Sequence, residues 1–379
     1  MKRSVWTAIA VAAAIAAVGC DKKTETAPAE KAPGAGAAAP APPAASDPVA
    51  AVKAAIEATE KCEAGKDGVR AKDESACTKP IWDAYKDVDD PKVADDQKEA
   101  KRKAYEDKLS SEYALLVSHK SRTVVFYALF QSQTRFKRNP PLARFEQLMG
   151  DDHAETAEWA AIARFWKRDG KVDPAALELA KATVKAHKHE RVRLSAMQVL
   201  QDASFKGNKE IFDLALSFVK NASEASLVRS SGLTTLGYIG ADSDIKTIVG
   251  FCPQKDLQYS CFYALNNGMA TTASFGAAVG YVAGNAKKAD KIFSNAMNIF
   301  VPFESQWSKW PKDKAIKALA VILVTKEQHE WTRSYAARDL GKLKAKAELE
   351  KAKAFYEKSK DPKAEEINKA ITEALAKAG

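Results

Sequence analysis

Five histidines, five cysteines and a run of aspartates are the residues of this 379-residue chain whose types could carry chemistry. His187 and His189 stand just before Glu190, and imidazoles two residues apart in an extended loop can both face a metal. No third or fourth ligand stands near them, which favours two histidines at a turn. His329-Glu330 begins like a zinc-protease helix, but Arg333 occupies the place of the second histidine. Asp87, Asp89, Asp90, Asp95 and Asp96 invite a calcium reading. Counted from Asp87, the sixth and twelfth places hold Lys92 and Lys98, where such a loop needs glycine and a carboxylate. The chain has no Gly-x-Ser-x-Gly elbow, no Walker loop and no dinucleotide-binding fingerprint. These residues point to no catalytic site, no metal and no cofactor.

The cysteines tell a different story. Lys2 and Arg3 open the chain, Val5 to Val18 is almost wholly apolar, and the run closes on Ala17-Val18-Gly19-Cys20. A positive start, a short apolar stretch and small residues at its end describe a secretory signal. The stretch is shorter than the roughly 20 residues of a spanning helix. The ending on Cys20 resembles the lipobox of bacterial lipoproteins, although Ala17 stands where leucine is usual. That resemblance implies cleavage before Cys20 and a lipid on it, which anchors the chain to a membrane of the cell envelope. From Thr24 to Pro48 the residues are nearly all Ala, Pro, Gly, Thr, Glu and Lys. With nothing to bury, such a segment is expected to be a disordered tether. Four cysteines remain, Cys62 near Cys77 and Cys252 near Cys261, an even number that suits disulfides in an oxidising compartment. Four cysteines allow three connectivities, and proximity favours the two local pairs.

Loss of Lys2 and Arg3 with the signal lowers the formal charge from +10 to +8. A moderately basic exported chain suits anionic lipid or acidic polymers rather than nucleic acid, which the compartment excludes.

The elements after Val49 read as helix after helix. Apolar residues recur at three- and four-residue spacing, and glycines and prolines cut the chain every ten to twenty residues. Asp173-Pro174 and Asp361-Pro362 read as helix starts, a cap followed by proline at the first helical position. Gly276, Gly280 and Gly284 form a small-residue ladder that suggests close packing of two helices.

Self-similarity organises the centre. Val192-Arg193 with Ala196 aligns with Val228-Arg229 and Gly232 at an offset of 36 residues, and Thr332-Arg333 through Leu340 lies 104 residues further on. A weaker copy spans Leu257 to Leu265. Val228-Arg229, Gly232, Leu236 and Gly240, followed by the apolar Ile245 to Val249, resemble a HEAT repeat. The resemblance implies an all-α fold, an α-solenoid of stacked antiparallel helix pairs. In it the arginine stem covers core while its head pairs with an adjacent turn. The organisation expected is a signal peptide at 1–19, the tether at 20–48, a charged helical cap at 49–110, repeats at 111–341 and a Lys/Glu/Ala-rich hairpin at 342–379.

Two patches read as contact surfaces. Arg135, Phe136, Lys137 and Arg138, with Arg144 and Phe145, interleave cations and rings in a way that suits anionic lipid, lipopolysaccharide or an acidic peptide. Trp307 and Trp310 lie between Pro302 and Pro311, where exposed tryptophans anchor partners. For each, the competing reading is aromatics folded back on the core. The expectation is a lipid-anchored, non-catalytic helical scaffold for an envelope protein. The alternatives are an enzyme with a site assembled from scattered residues, and a spacer between membrane and wall.

Overall fold

Helix starts in this chain are marked by side chains that satisfy otherwise orphaned amides. A computed structural model describes residues 63–73, 117–135, 141–166, 172–288 and 290–379, with Ala54 and Ala58. All of these belong to one unit, Asp47–Gly379. Cys20, the signal, the tether and nearly all of the 49–110 segment lie outside the described residues.

The chain is all-helical among the described residues, and its one extended pairing there is an isolated bridge between Ala64 and Ala71. In chain order the helices are α1 (Arg122–Arg135), α2 (Leu142–Met149), α3 (Ala154–Phe165), α4 (Pro174–Ala186) and α5 (Glu190–Val199). They continue with α6 (Lys209–Lys220), α7 (Ser226–Ile239), α8 (Ile245–Val249), α9 (Gln258–Tyr263) and a π-turn at Ala264–Met269. The last are α10 (Thr272–Asn285), α11 (Ser294–Met297), α12 (Lys312–Val324), α13 (Glu330–Lys342), α14 (Lys346–Glu357) and α15 (Ala364–Ala378). None of them is long and apolar enough to cross a membrane.

Asp173 caps α4 by accepting from the Ala175 amide, with Pro174 at the first helical position. Asn208 caps α6 through the Ile211 amide, and Thr271 and Ser274 form a reciprocal capping box on α10. At Asp361-Pro362 the helix begins later than the sequence signal suggests, at Ala364. Asp361 accepts from the Lys363 amide in a turn, and its second oxygen is engaged by Arg333.

Each helix packs mainly on its neighbours in the chain and on the helix two further along. The odd-numbered helices contact one another in sequence, α3 on α5, α5 on α7, α7 on α9, α9 on α11, α11 on α13 and α13 on α15. Among the even ones, α8 meets α10, α10 meets α12 and α12 meets α14. Cross-contacts join α2 to α3, α4 to α5, α6 to α7, α12 to α13 and α14 to α15. The core is mixed aliphatic and aromatic, with Val192, Ala196, Val228, Leu236 and Leu340 wholly buried on the odd helices. Each such large side chain removed from water stabilises the fold by roughly 1.5–3 kcal/mol.

The arginines of the aligned copies share a geometry. Arg193 pairs with Glu224 at 2.7 Å, Arg229 with Asp256 at 2.8 Å, and Arg333 with Asp361. Each reaches an acidic residue about one helix pair further along the chain. Near the N-terminal edge, Arg70 makes a bidentate contact with Glu155 on α3, while Val69 and Ala71 pack with Phe126 and Tyr127 of α1.

Candidate partner-binding face

Helix α7 buries Val228, Leu233, Leu236 and Ile239, which leaves Leu227, Ser230, Thr234 and Tyr238 along its outer edge at three- and four-residue spacing. Tyr259 and Tyr263 repeat that four-residue spacing on α9, followed by Asn267 in the π-turn. The two edges meet. The Tyr238 and Tyr263 hydroxyls lie 3.2 Å apart in a shared hydrogen bond, and the Tyr259 and Tyr263 rings are near-parallel with centroids 6.4 Å apart. All three tyrosines are half-buried.

Backbone contact allows this. A Cβ at Gly237 would stand 2.5 Å from the Ala264 Cα, and one at Gly268 would stand 2.7 Å from the Gly237 carbonyl carbon. Two helices approach closely only where side chains are missing. The π-turn then closes on Ala270 in the left-handed region, φ 48°. A widened turn of this kind frees backbone from the regular ladder and is common at functional positions. Here it points the buried Asn266 amide at the Ile299 and Phe300 carbonyls, at 3.0 and 2.9 Å. Ser274 donates to the Leu265 carbonyl at 2.7 Å and holds the other side of the turn. The tyrosine edge therefore sits on a rigid base.

Burial pushes the Tyr238 phenol well above its ordinary range, and the Tyr263 hydroxyl adds to the shift. Burial and the neighbouring Tyr263 move Tyr259 in the same direction. Protonated phenols are donors and acceptors, not nucleophiles. Flat rings with a polar tip and few rotatable bonds suit recognition of a partner at low entropic cost. Other odd helices also carry outward aromatics. Trp159 on α3 meets Phe130 edge-on at 5.0 Å, Trp331 on α13 is 55% exposed, and Arg338 lies 4.4 Å over the Tyr335 ring.

The residues singled out from the sequence fall elsewhere. Arg135 ends α1, and Phe136, Lys137 and Arg138 lie outside the described residues. Phe145 is 1% exposed and belongs to the core, which corrects its reading as a contact residue. Its neighbour Arg144 is half-buried and donates to the Val117 carbonyl at 2.9 Å, so it ties α2 to the preceding segment. Trp310 is also a core residue, 4% exposed and edge-on to Phe300. Trp307 is half-buried, donates to the Pro302 carbonyl at 3.1 Å and lies beneath the Lys312 ammonium. Both tryptophans fold back because an apolar floor of Phe300 and Val301 lies beside them. Cys62 and Cys77 lie outside the described residues, while Cys252 and Cys261 form a disulfide.

His187 and His189 have structural roles at their turn, with ring nitrogens at 2.9 Å from the Met149 and Asp151 carbonyls. His329 caps α13 by accepting from the Trp331 amide. No cluster of three or more potential metal ligands occurs among the described residues. The glycine ladder on α10 also departs from expectation. A Cβ at Gly276 or Gly284 would meet nothing within 4 Å, because the close helix approach is at Gly237 and Gly268 instead. The tyrosine edge had one sequence signal, the four-residue spacing of Tyr259 and Tyr263 in the weak repeat copy. No family model matches the chain, and comparison with curated proteins finds no significant match.

Proposed function

We propose that this chain is a lipid-anchored α-solenoid of the HEAT type, held outside the cytoplasm through Cys20, and that its odd-numbered helices bind a protein partner. The single observation that carries the binding role is the Tyr238–Tyr259–Tyr263 cluster, three half-buried rings fixed across two helices by a backbone contact. The solenoid reading is supported by the sequential packing of odd helices and by the repeated arginine-to-acid pairs. The anchor reading is supported by the lipobox-like ending at Cys20, and the export it implies agrees with the Cys252–Cys261 disulfide.

The test is photo-crosslinking in intact cells, with a photoreactive residue at position 234, one turn before Tyr238 on the same edge of α7. The expected result is one specific protein adduct, reduced at least tenfold by Tyr259→Ala with Tyr263→Ala, since aromatic hot spots typically contribute 2 kcal/mol or more. An unchanged adduct in the double variant, or none from the parent, refutes the binding role. Separately, Cys20→Ala is expected to move the chain out of the membrane-anchored fraction.

A further inference from the structure

The segment joining α11 to α12 presents Phe303 at 73% exposure, the highest of any large apolar side chain among the described residues. The others, Phe130, Leu227, Phe355 and Trp331, reach 40% to 55%. The ring stands on a well-fixed turn. The Gln306 amide donates to the Phe303 carbonyl at 2.9 Å, and the Trp307 amide donates to Glu304 at 3.1 Å. Beneath the turn, Phe300 is wholly buried, Trp310 packs on it, and Asn266 donates to the Phe300 carbonyl. An apolar ring held out by a rigid support has been placed for contact rather than left over from folding.

The surroundings specify the kind of surface. Lys309, Lys314 and Lys317 are exposed and Lys312 covers the half-buried Trp307 ring at 5.1 Å, against the two carboxylates Glu304 and Asp313. The amino end of α12 adds its own partial positive charge on this side. A lone protruding ring bordered by Glu304, Ser305, Ser308 and Lys309 lacks the clustered apolar centre of a protein–protein hot spot. One ring to enter the acyl boundary, one indole at headgroup depth and a surplus of lysine is the chemistry of an interfacial membrane contact. We propose that the Phe303 turn docks on an anionic lipid surface, with Phe303 inserted and Lys309, Lys312 and Lys314 against the phosphates. A lipid on Cys20 would keep this turn near a bilayer, but the contact itself does not depend on that lipid.

The test uses the full chain with an environment-sensitive fluorescent amino acid at position 303, and vesicles of phosphatidylcholine with or without phosphatidylglycerol. The expected result is a blue-shifted emission, protected from aqueous quencher, on the phosphatidylglycerol vesicles. Because the probe reports position 303 alone, membrane attachment elsewhere in the chain does not produce it. Lys309→Gln with Lys314→Gln should lower the apparent affinity roughly 30-fold, about fivefold for each lysine at an anionic surface. Circular dichroism of each variant controls for folding. No shift at position 303 on either vesicle overturns the proposal. So does an equal shift on neutral vesicles that the lysine variants leave unchanged, or a shift produced only by a protein fraction.

Discussion

Arg229 and Arg333 align in sequence and each pairs with an acidic residue further along the chain, yet they are stabilised in different ways. Arg229 donates to Asp256 at 2.8 Å, to Gln254 at 2.6 Å and to the Val219 carbonyl at 3.2 Å. Asp256 keeps 43% of its side chain in water. The turn that carries these partners is closed by the Cys252–Cys261 disulfide. Arg333 and Asp361 are both almost dry, at 4% and 6% exposure, and Arg333 also donates to Tyr356, whose hydroxyl donates to the Leu323 carbonyl. One arginine relies on a covalently closed turn, the other on a buried hydrogen-bond network. The difference teaches that a repeated motif specifies a position, while the environment of the partner specifies the energy.

That contrast can be tested in order of effect. Arg333→Ala strands the Asp361 carboxylate in the interior and removes one partner of the Tyr356 hydroxyl, and should cost about 3–5 kcal/mol in chemical denaturation. A loss no larger than that of Arg229→Ala would remove the distinction. Cys252→Ser with Cys261→Ser opens the turn and should cost about 2–3 kcal/mol, from loop-closure entropy for a short loop. Arg229→Ala should cost about 1–2 kcal/mol, since water can reach its partner. In the cysteine-free background the cost of Arg229→Ala should shrink, because a loose turn holds Asp256 and Gln254 less well. Strict additivity in that double-mutant cycle would mean the disulfide and the arginine act independently.

The smallest effect near neutral pH is a difference in titration. Burial pushes the Asp361 carboxyl up, but the Lys363 amide and the Arg333 guanidinium together outweigh it, and its pKa lies below the ordinary value. A depressed carboxylate pKa stabilises the fold fully above the unfolded value, near 3.9, and loses that contribution as pH falls through the folded value. The difference in stability between the parent and Arg333→Ala should therefore be largest near neutrality and narrow as pH falls, first as Asp361 takes up a proton in the variant, where burial acts without the arginine, and then below about pH 4 as it does so in the parent. A difference that stays unchanged below about pH 3 would implicate another group.

Much of the architecture was legible in the residue pattern. Apolar periodicity placed helices, Asp173-Pro174 marked the start of α4, and the aligned Arg193, Arg229 and Arg333 each sit on a helix and pair with an acidic residue. Those features are local, since caps and periodicity act within a turn or two of one helix. The candidate contact residues were much less legible. Phe145 and Trp310 looked like surface anchors beside cations and prolines, and both are core. Phe303 lies between the tyrosines and Trp310 in sequence and belongs to no motif, yet its ring is the most exposed of the large apolar side chains described. The glycine ladder on α10 has the spacing of a packing motif and faces no close backbone, whereas the isolated Gly237 faces Ala264.

By itself, then, the sequence determined the helical class, the breaks between helices and the arginines that align along the chain. Each of these follows from interactions between residues close along the chain. Only the tertiary structure decided which aromatics are covered, which glycines meet a neighbour and how dry each arginine's partner is. Those outcomes depend on which distant helix arrives beside a residue, and residue type and spacing do not encode that locally.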